Sequence, residues 1–234
     1  MKRDKSPVLP GSGTTDYARY MRTDVLLGLQ RNPDEVIHRD ELLFQVVHQS
    51  SELWFKLAAA EVTETTARVA VGDLAGAAAL LARATLAVRL VTDQLEMLDH
   101  LSPADFQAMQ PALGNGSGAE SPGWRHVQAA SRKLDRAFAD HLAAHGTTAV
   151  DLRPGDRTDP TGRLAETMVE WDERVALWRF RHYQLALRVG GHAPAGAPNS
   201  SATVLARLVE HRFFPDLWQA RLHTPGGSPG TDPL

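Results

Sequence analysis

The longest unbroken hydrophobic pattern in the chain runs through Leu164, Met168, Trp171, Val175, Trp178, His182, Leu185 and Val189. Its steps alternate between four and three, which predicts one helix from Thr161 to about Val189 with a heptad-like seam. His182 occupies a seam position where a leucine is expected. A second long pattern predicts a helix from Asp40 to about Val71, ended by Gly72. Within it the run HRDELLFQVVHQSSELWFK (38–56) sets Phe44 and His48 four residues apart, on one helical face. Leu43, Val47, Trp54 and Leu57 make the rest of that face apolar, so His48 is expected to point inward. Buried ring nitrogens cost free energy unless they find partners. His48 and His182 are therefore the first candidates for chemistry.

The remaining periodicity is helical as well, with no alternating strand pattern. A first helix is expected from about Asp16 to Gln30, capped by Thr14, Thr15 or Asp16. Asp73 can cap a third, Ala-rich helix to about His100, with Leu74, Leu81, Val88, Val91, Leu95 and Leu98 near helical spacing. Ser102-Pro103 with Asp105 starts a short helix that Pro111 should stop. The glycine-rich run GNGSGAESPG (114–123) reads as a loop, followed by a helix over roughly 124–145 and a loop over 146–160. After GGHAPAGAPN (190–199) come a short helix from Ser200 to about Phe213 and a terminal turn through Leu217, Trp218 and Leu222. Residues 1–13 and 224–234, rich in Pro, Gly and Ser, read as flexible tails around a single domain spanning 14–223. The fold class is all-α, a helical bundle.

Composition narrows the function classes. With 234 residues, 43% hydrophobic and 23% charged, the chain has an ordinary globular balance and material for a sizeable core. A net charge of −3 gives no electrostatic case for nucleic acid or an anionic membrane. Absence of cysteine excludes disulfides, thiolate metal sites and cysteine nucleophiles. The basic N-terminus has no apolar stretch behind it, and no uninterrupted apolar run of spanning length stands out. The expectation is a soluble, cytoplasmic protein. GK[ST] is absent, and GSGAES in the loop is not the G-x-S-x-G of a serine nucleophile. Glu170, Asp172 and Glu173 read as a solvated helix face.

Spacing alone does not name a reaction, but six segments together do more. YARYMRTDVLLGLQ (17–30) resembles Y-x-x-Y-L-x-L-D-x-L-L-x-x-Q of the tryptophan 2,3-dioxygenase family. The stretch from His38 resembles its H-D-E-x-L-F-x-x-x-H-Q-x-x-E-L-W-x-K signature, with Arg39 inserted. LSPADF (101–106) stands for M-T-P-x-D-F, and LGNGSGAESPGWR (113–125) for L-G-x-x-S-G-F-Q-S-x-Q-Y-R. WRFRHYQLALRVGG (178–191) is similar to the haem-ligand segment, and FFPDLW (213–218) to F-F-P-E-L-W. The resemblance covers nearly everything between the tails. It implies a bundle with haem b between long helices and His182 as the axial ligand of the haem iron. Arg179 and Arg181, beside that ligand, would meet haem propionates or else be surface charges. It also implies that His48 lies over the haem and handles the indole N–H proton, with Phe44 packing on the substrate ring. Tyr17, Tyr20 and Met21 would enter a neighbouring subunit's pocket, making the protein a homo-oligomer, dimer or tetramer.

The sequence departs from the family pattern where the amino-acid group of the substrate is read. Seven residues before Ser117 the family has an arginine for the carboxylate, and this chain has Gln110. Phe106 stands where tyrosine is common, G-F-Q-S has become Gly118-Ala119-Glu120-Ser121, and the family's G-T-G-G-S-S-G loop is replaced by GGHAPAGAPNSS, with Gly196 at the threonine. The substrate-binding candidates are thus Phe44, Tyr17, Tyr20, Met21, Phe106, Gln110 and Ser117. The expectation is a haem-dependent oxygenase inserting oxygen from O2 into the indole ring of tryptophan or a derivative. Dioxygenation would give an N-formylkynurenine-type product, and mono-oxygenation an oxindole or hydroxylated one. A hydroxylase of another aromatic such as tyrosine, a non-catalytic haem sensor, and a scaffold without haem remain alternatives.

Overall fold

The computed structural model describes residues 6–116, 118–190 and 208–222. Its helices are α1 (Asp16–Met21), α2 (Thr23–Leu26), α3 (Glu41–Ala70), α4 (Leu74–Gln94), α5 (Pro103–Leu113), α6 (Pro122–Ala144), α7 (Pro160–Gly190) and α8 (Pro215–Leu222). Short 3-10 turns cover Leu95–His100, Gly118–Glu120 and Ala149–Asp151. No strand occurs among the described residues, and the chain is all-α as its periodicity implies. Antiparallel α3 and α4, joined at Gly72, pack together; α6 lies on α3 and α7 lies on α4. Gly72 turns the chain at φ 78°, a backbone angle that costs glycine nothing.

The seam of α7 is the spine of the core. Leu164, Met168, Trp171, Val175, Trp178, Leu185 and Val189 are all buried, and His182 is the one seam member left half-buried. Each buried aliphatic or aromatic side chain here contributes about 1.5–3 kcal/mol. By length and composition Leu74–His100 is apolar enough to cross a membrane, contrary to the expectation from the sequence. Ala77, Leu81, Ala84, Val88 and Val91 of that segment are instead the buried core.

Several boundaries move for local reasons. The expected helix Asp16–Gln30 is two short helices broken at Arg22, which takes a left-handed φ of 52°. Residues 8–13 are not a loose tail: Asp16 Oδ1 accepts the Val8 and Leu9 N–H groups, and Arg19 Nε donates to the Gly13 carbonyl at 2.7 Å. Pro111 does not stop α5, which continues to Leu113; a proline in the last turn removes a single intrahelical bond. α6 begins earlier than expected, at Pro122, because Ser121 caps it through the Trp124 N–H at 3.0 Å.

Asp172 is the clearest correction. It is buried rather than solvated, and its carboxylate accepts the Phe213 and Phe214 N–H groups (2.8 and 3.1 Å) and the Trp218 Nε1–H (3.1 Å). The closing segment is thereby fastened to α7. The expected helix from Ser200 lies mostly outside the described residues, as do the run 191–199 with Gly196, Ser117, and 224–234.

Candidate active site

α3 delivers the first half of the site. The Phe44 and His48 rings stack with centroids 4.0 Å apart and planes 29° from parallel. His48 Nδ1 lies 2.7 Å from the Phe44 carbonyl oxygen, an acceptor only, so Nδ1 carries the proton. In the neutral ring this leaves Nε2 as a lone-pair acceptor. His48 is not sealed in the core as expected. It keeps an exposed surface, although partial burial holds its pKa below the ordinary value. Leu57 of the same face is exposed too, whereas Val47 is buried. Phe106, half-buried on α5, adds a third ring 6.2 Å from Phe44.

α7 delivers the second half. Burial, and then the charge of neighbouring His48, press the His182 pKa down. His182 has no hydrogen-bond partner among the described residues. Trp178, one turn earlier, runs nearly parallel to it at 17° and 5.8 Å. Trp178 is itself fixed by Trp124 at 4.5 Å and by Phe55 edge-on at 5.2 Å. From the other side the 118–120 turn closes in: a Cβ on Gly118 would stand 3.7 Å from His182 Cε1. A half-buried imidazole with a lowered pKa and no hydrogen-bond partner among the described residues is a donor suited to iron, and the aromatic rings beside it suit a flat macrocycle.

The arginines beside His182 divide. Arg179 is no surface charge. Only 2% exposed, its guanidinium lies between the Trp124 and Phe213 rings (5.3 and 5.2 Å) and donates to the His211 carbonyl at 2.7 Å. Among the described residues its Nε and Nη2 are without partners, and burial pulls its pKa down to about 10. Arg181 is paired with Asp99, which Arg188 also approaches at 3.8 Å.

Comparison with known sequences decides the lineage. The family model described as tryptophan 2,3-dioxygenase matches residues 3–134, more than half of the chain. The chain belongs to the tryptophan 2,3-dioxygenase family. It is 27% identical to the tryptophan 2,3-dioxygenase of Myxococcus xanthus (strain DK1622), with 94% of each chain covered. It is 28% identical to that of Xanthomonas euvesicatoria pv. vesicatoria (strain 85-10), covering 89% of this chain and 87% of the relative. It is likewise 28% identical to that of Xanthomonas campestris pv. campestris (strain B100). Membership makes the protein an oxidoreductase.

Other candidates lie elsewhere within one chain. Tyr17 and Tyr20 are 68% and 78% exposed on α1, and Met21 ends that helix, also exposed. Among the described residues neither tyrosine makes a ring contact with Phe44 or His48. Gln110, one turn beyond Phe106, is exposed. A further residue beside the site is Glu52, four positions after His48 in the same motif. Its carboxylate accepts from Ser121 Oγ and from the Gly123 N–H at 2.8 Å. The readable signal was the i, i+4 spacing to His48.

Proposed function

We propose that this member of the tryptophan 2,3-dioxygenase family is a haem-dependent oxygenase of an indole, with His182 as the iron ligand. The observation that carries the reading is the pair of imidazoles on α3 and α7, close enough for His48 to bear on the pKa of His182, with His182 lacking a hydrogen-bond partner among the described residues. Haem b held at His182 would supply the binding and activation of O2. What the chain's own residues do follows from their geometry. Phe44, backed by Phe106, offers an aromatic ring for the substrate to lie against. His48 presents Nε2 as an acceptor for the indole N–H, its other nitrogen pinned by the Phe44 carbonyl, and it can hold or return that proton. Trp178, nearly parallel to the His182 ring, would limit its rotation and so fix the direction of the nitrogen that would hold iron.

Gln110 bears on the substrate. A neutral amide in place of a guanidinium loses a bidentate charged contact, worth a few kcal/mol or about two decades of affinity for a free carboxylate. The reading is therefore an indole with a modified side chain, in preference to free tryptophan. The exposed Tyr17, Tyr20 and Met21 complete the pocket of a second copy in a homo-oligomer.

The test is spectroscopic first. Purified protein supplied with haem shows a Soret band that His182→Ala loses; a colourless wild type refutes the reading. Reduced holoenzyme is then offered L-tryptophan and side-chain-modified indoles under ¹⁸O2. Faster turnover of the modified indoles is expected, and mass spectrometry counts the oxygen atoms inserted. Equal or better rates with L-tryptophan refute the altered specificity.

A further inference from the structure

The site has two walls on different helices, and one carboxylate joins them. Glu52 stands one turn beyond His48 on α3 and reaches across to the start of α6. There Glu52 Oε1 accepts the hydroxyl proton of Ser121, and Glu52 Oε2 accepts the Gly123 N–H at 2.8 Å. Ser121 Oγ is used in both senses, because it also accepts the Trp124 N–H at 3.0 Å. The backbone comes very close at this point. A Cβ on Gly123 would lie 2.6 Å from Glu52 Oε2 and 2.9 Å from Phe55 Cβ, so only glycine admits the contact. From Ser121 the turn runs back through its N–H to the Gly118 carbonyl (3.3 Å), and Gly118 faces His182 Cε1. Trp124, fixed by the same cap, packs on Trp178 under His182.

We infer that Glu52 is a positioning residue: it clamps the 118–124 segment so that the wall at His182 is held in register with the wall at His48. The inference rests on the proposed oxygenase reading for its catalytic consequence, but the clamp itself is a property of the chain. Two charge-assisted hydrogen bonds to a loop are strong enough to order it, and a site displaced by about an ångström loses rate steeply. Glu52 makes no hydrogen bond to Phe44, His48 or His182. Its charge also favours the protonated form of His48, against the burial that lowers that ring's pKa. Amide exchange in the loop is read separately from that charge.

Glu52→Ala, Glu52→Gln and Ser121→Ala test this in the holoenzyme. Amide exchange across 118–124 is expected to rise about tenfold or more in Glu52→Ala at unchanged exchange in α4, and to stay near wild type in Glu52→Gln, whose remaining oxygen still accepts the Gly123 N–H. With the substrate found above, Glu52→Ala is expected to raise KM by about tenfold while kcat changes less, and Glu52→Gln to rescue most of it. Ser121→Ala, which leaves the Gly123 bond, falls between the two and serves if Glu52→Ala does not fold. Unchanged exchange in 118–124 overturns the clamp, and faster exchange at unchanged KM overturns its positioning role. A wild type that takes up no haem refutes the oxygenase reading instead, and the exchange measurement then decides the clamp alone.

Discussion

His48 gains its meaning from a neighbour four residues away, because the Phe44 carbonyl fixes which of its nitrogens carries the proton. Burial then decides its charge. His48, His141, His182 and His211 are all held below the ordinary 6.5, burial being the largest cause in each. The sign follows from proton counting. Between each folded pKa and about 6.5 the unfolded chain binds more protons than the folded one, so stability falls as pH drops. Stability is full above about pH 6.5, declines below it, and levels once the pH is under the folded values. Thermal melting between pH 8 and pH 5, before haem is supplied, is expected to show that decline, less steep in His48→Phe; a flat curve would contradict it. That His48 is a candidate was legible from its position on an apolar face. That it stays exposed rather than entering the core was not, because exposure depends on how the other helices pack.

At the scale of elements, most helices follow from their own patterns and caps. The seven apolar seam residues of α7 were readable, and so was the one polar interruption at His182. Asp172 was not readable, since a carboxylate among Glu170 and Glu173 looks like a solvated face until a distant strand of chain covers it. Its three N–H donors come from residues 213–218, some forty positions away. Asp172→Ala strands all three and is expected to cost about 3 kcal/mol or more, while Asp172→Asn, which keeps one acceptor oxygen, costs less. Urea denaturation compares the two; equal midpoints for wild type and Asp172→Ala would show that the closing segment is held by its apolar contacts alone. The broken N-terminal helix has a similar cause. Its pattern was helical, but Arg22 turns the chain, and Gln30 and Arg31 bond to Gln49 and Gln45 on α3.

For the whole molecule, the N-terminal arm carries the argument. Tyr17, Tyr20, Met21, Val25, Leu27 and Leu29 are large, apolar and exposed in a single copy. Exposed apolar groups gathered on one arm favour association, and a second copy of the chain would cover them. Light scattering at micromolar concentration is expected to give a dimer or tetramer, and Tyr20→Arg combined with Leu27→Arg to shift it toward the monomer. A wild-type monomer would remove the shared-site proposal and leave the single-chain site untouched.

The sequence by itself determined the helical class, the long seam of α7, and the pair of histidines that interrupts two apolar faces, because periodicity and residue type are local properties of the chain. Tertiary structure decided which polar groups meet. Asp172 finds three backbone donors, Arg179 slides between two rings, and Glu52 reaches the start of α6, each through contacts between segments far apart in sequence. A hydrogen bond is worth naming only when both partners are in place, and no pattern along one strand of chain reports where the second partner will be.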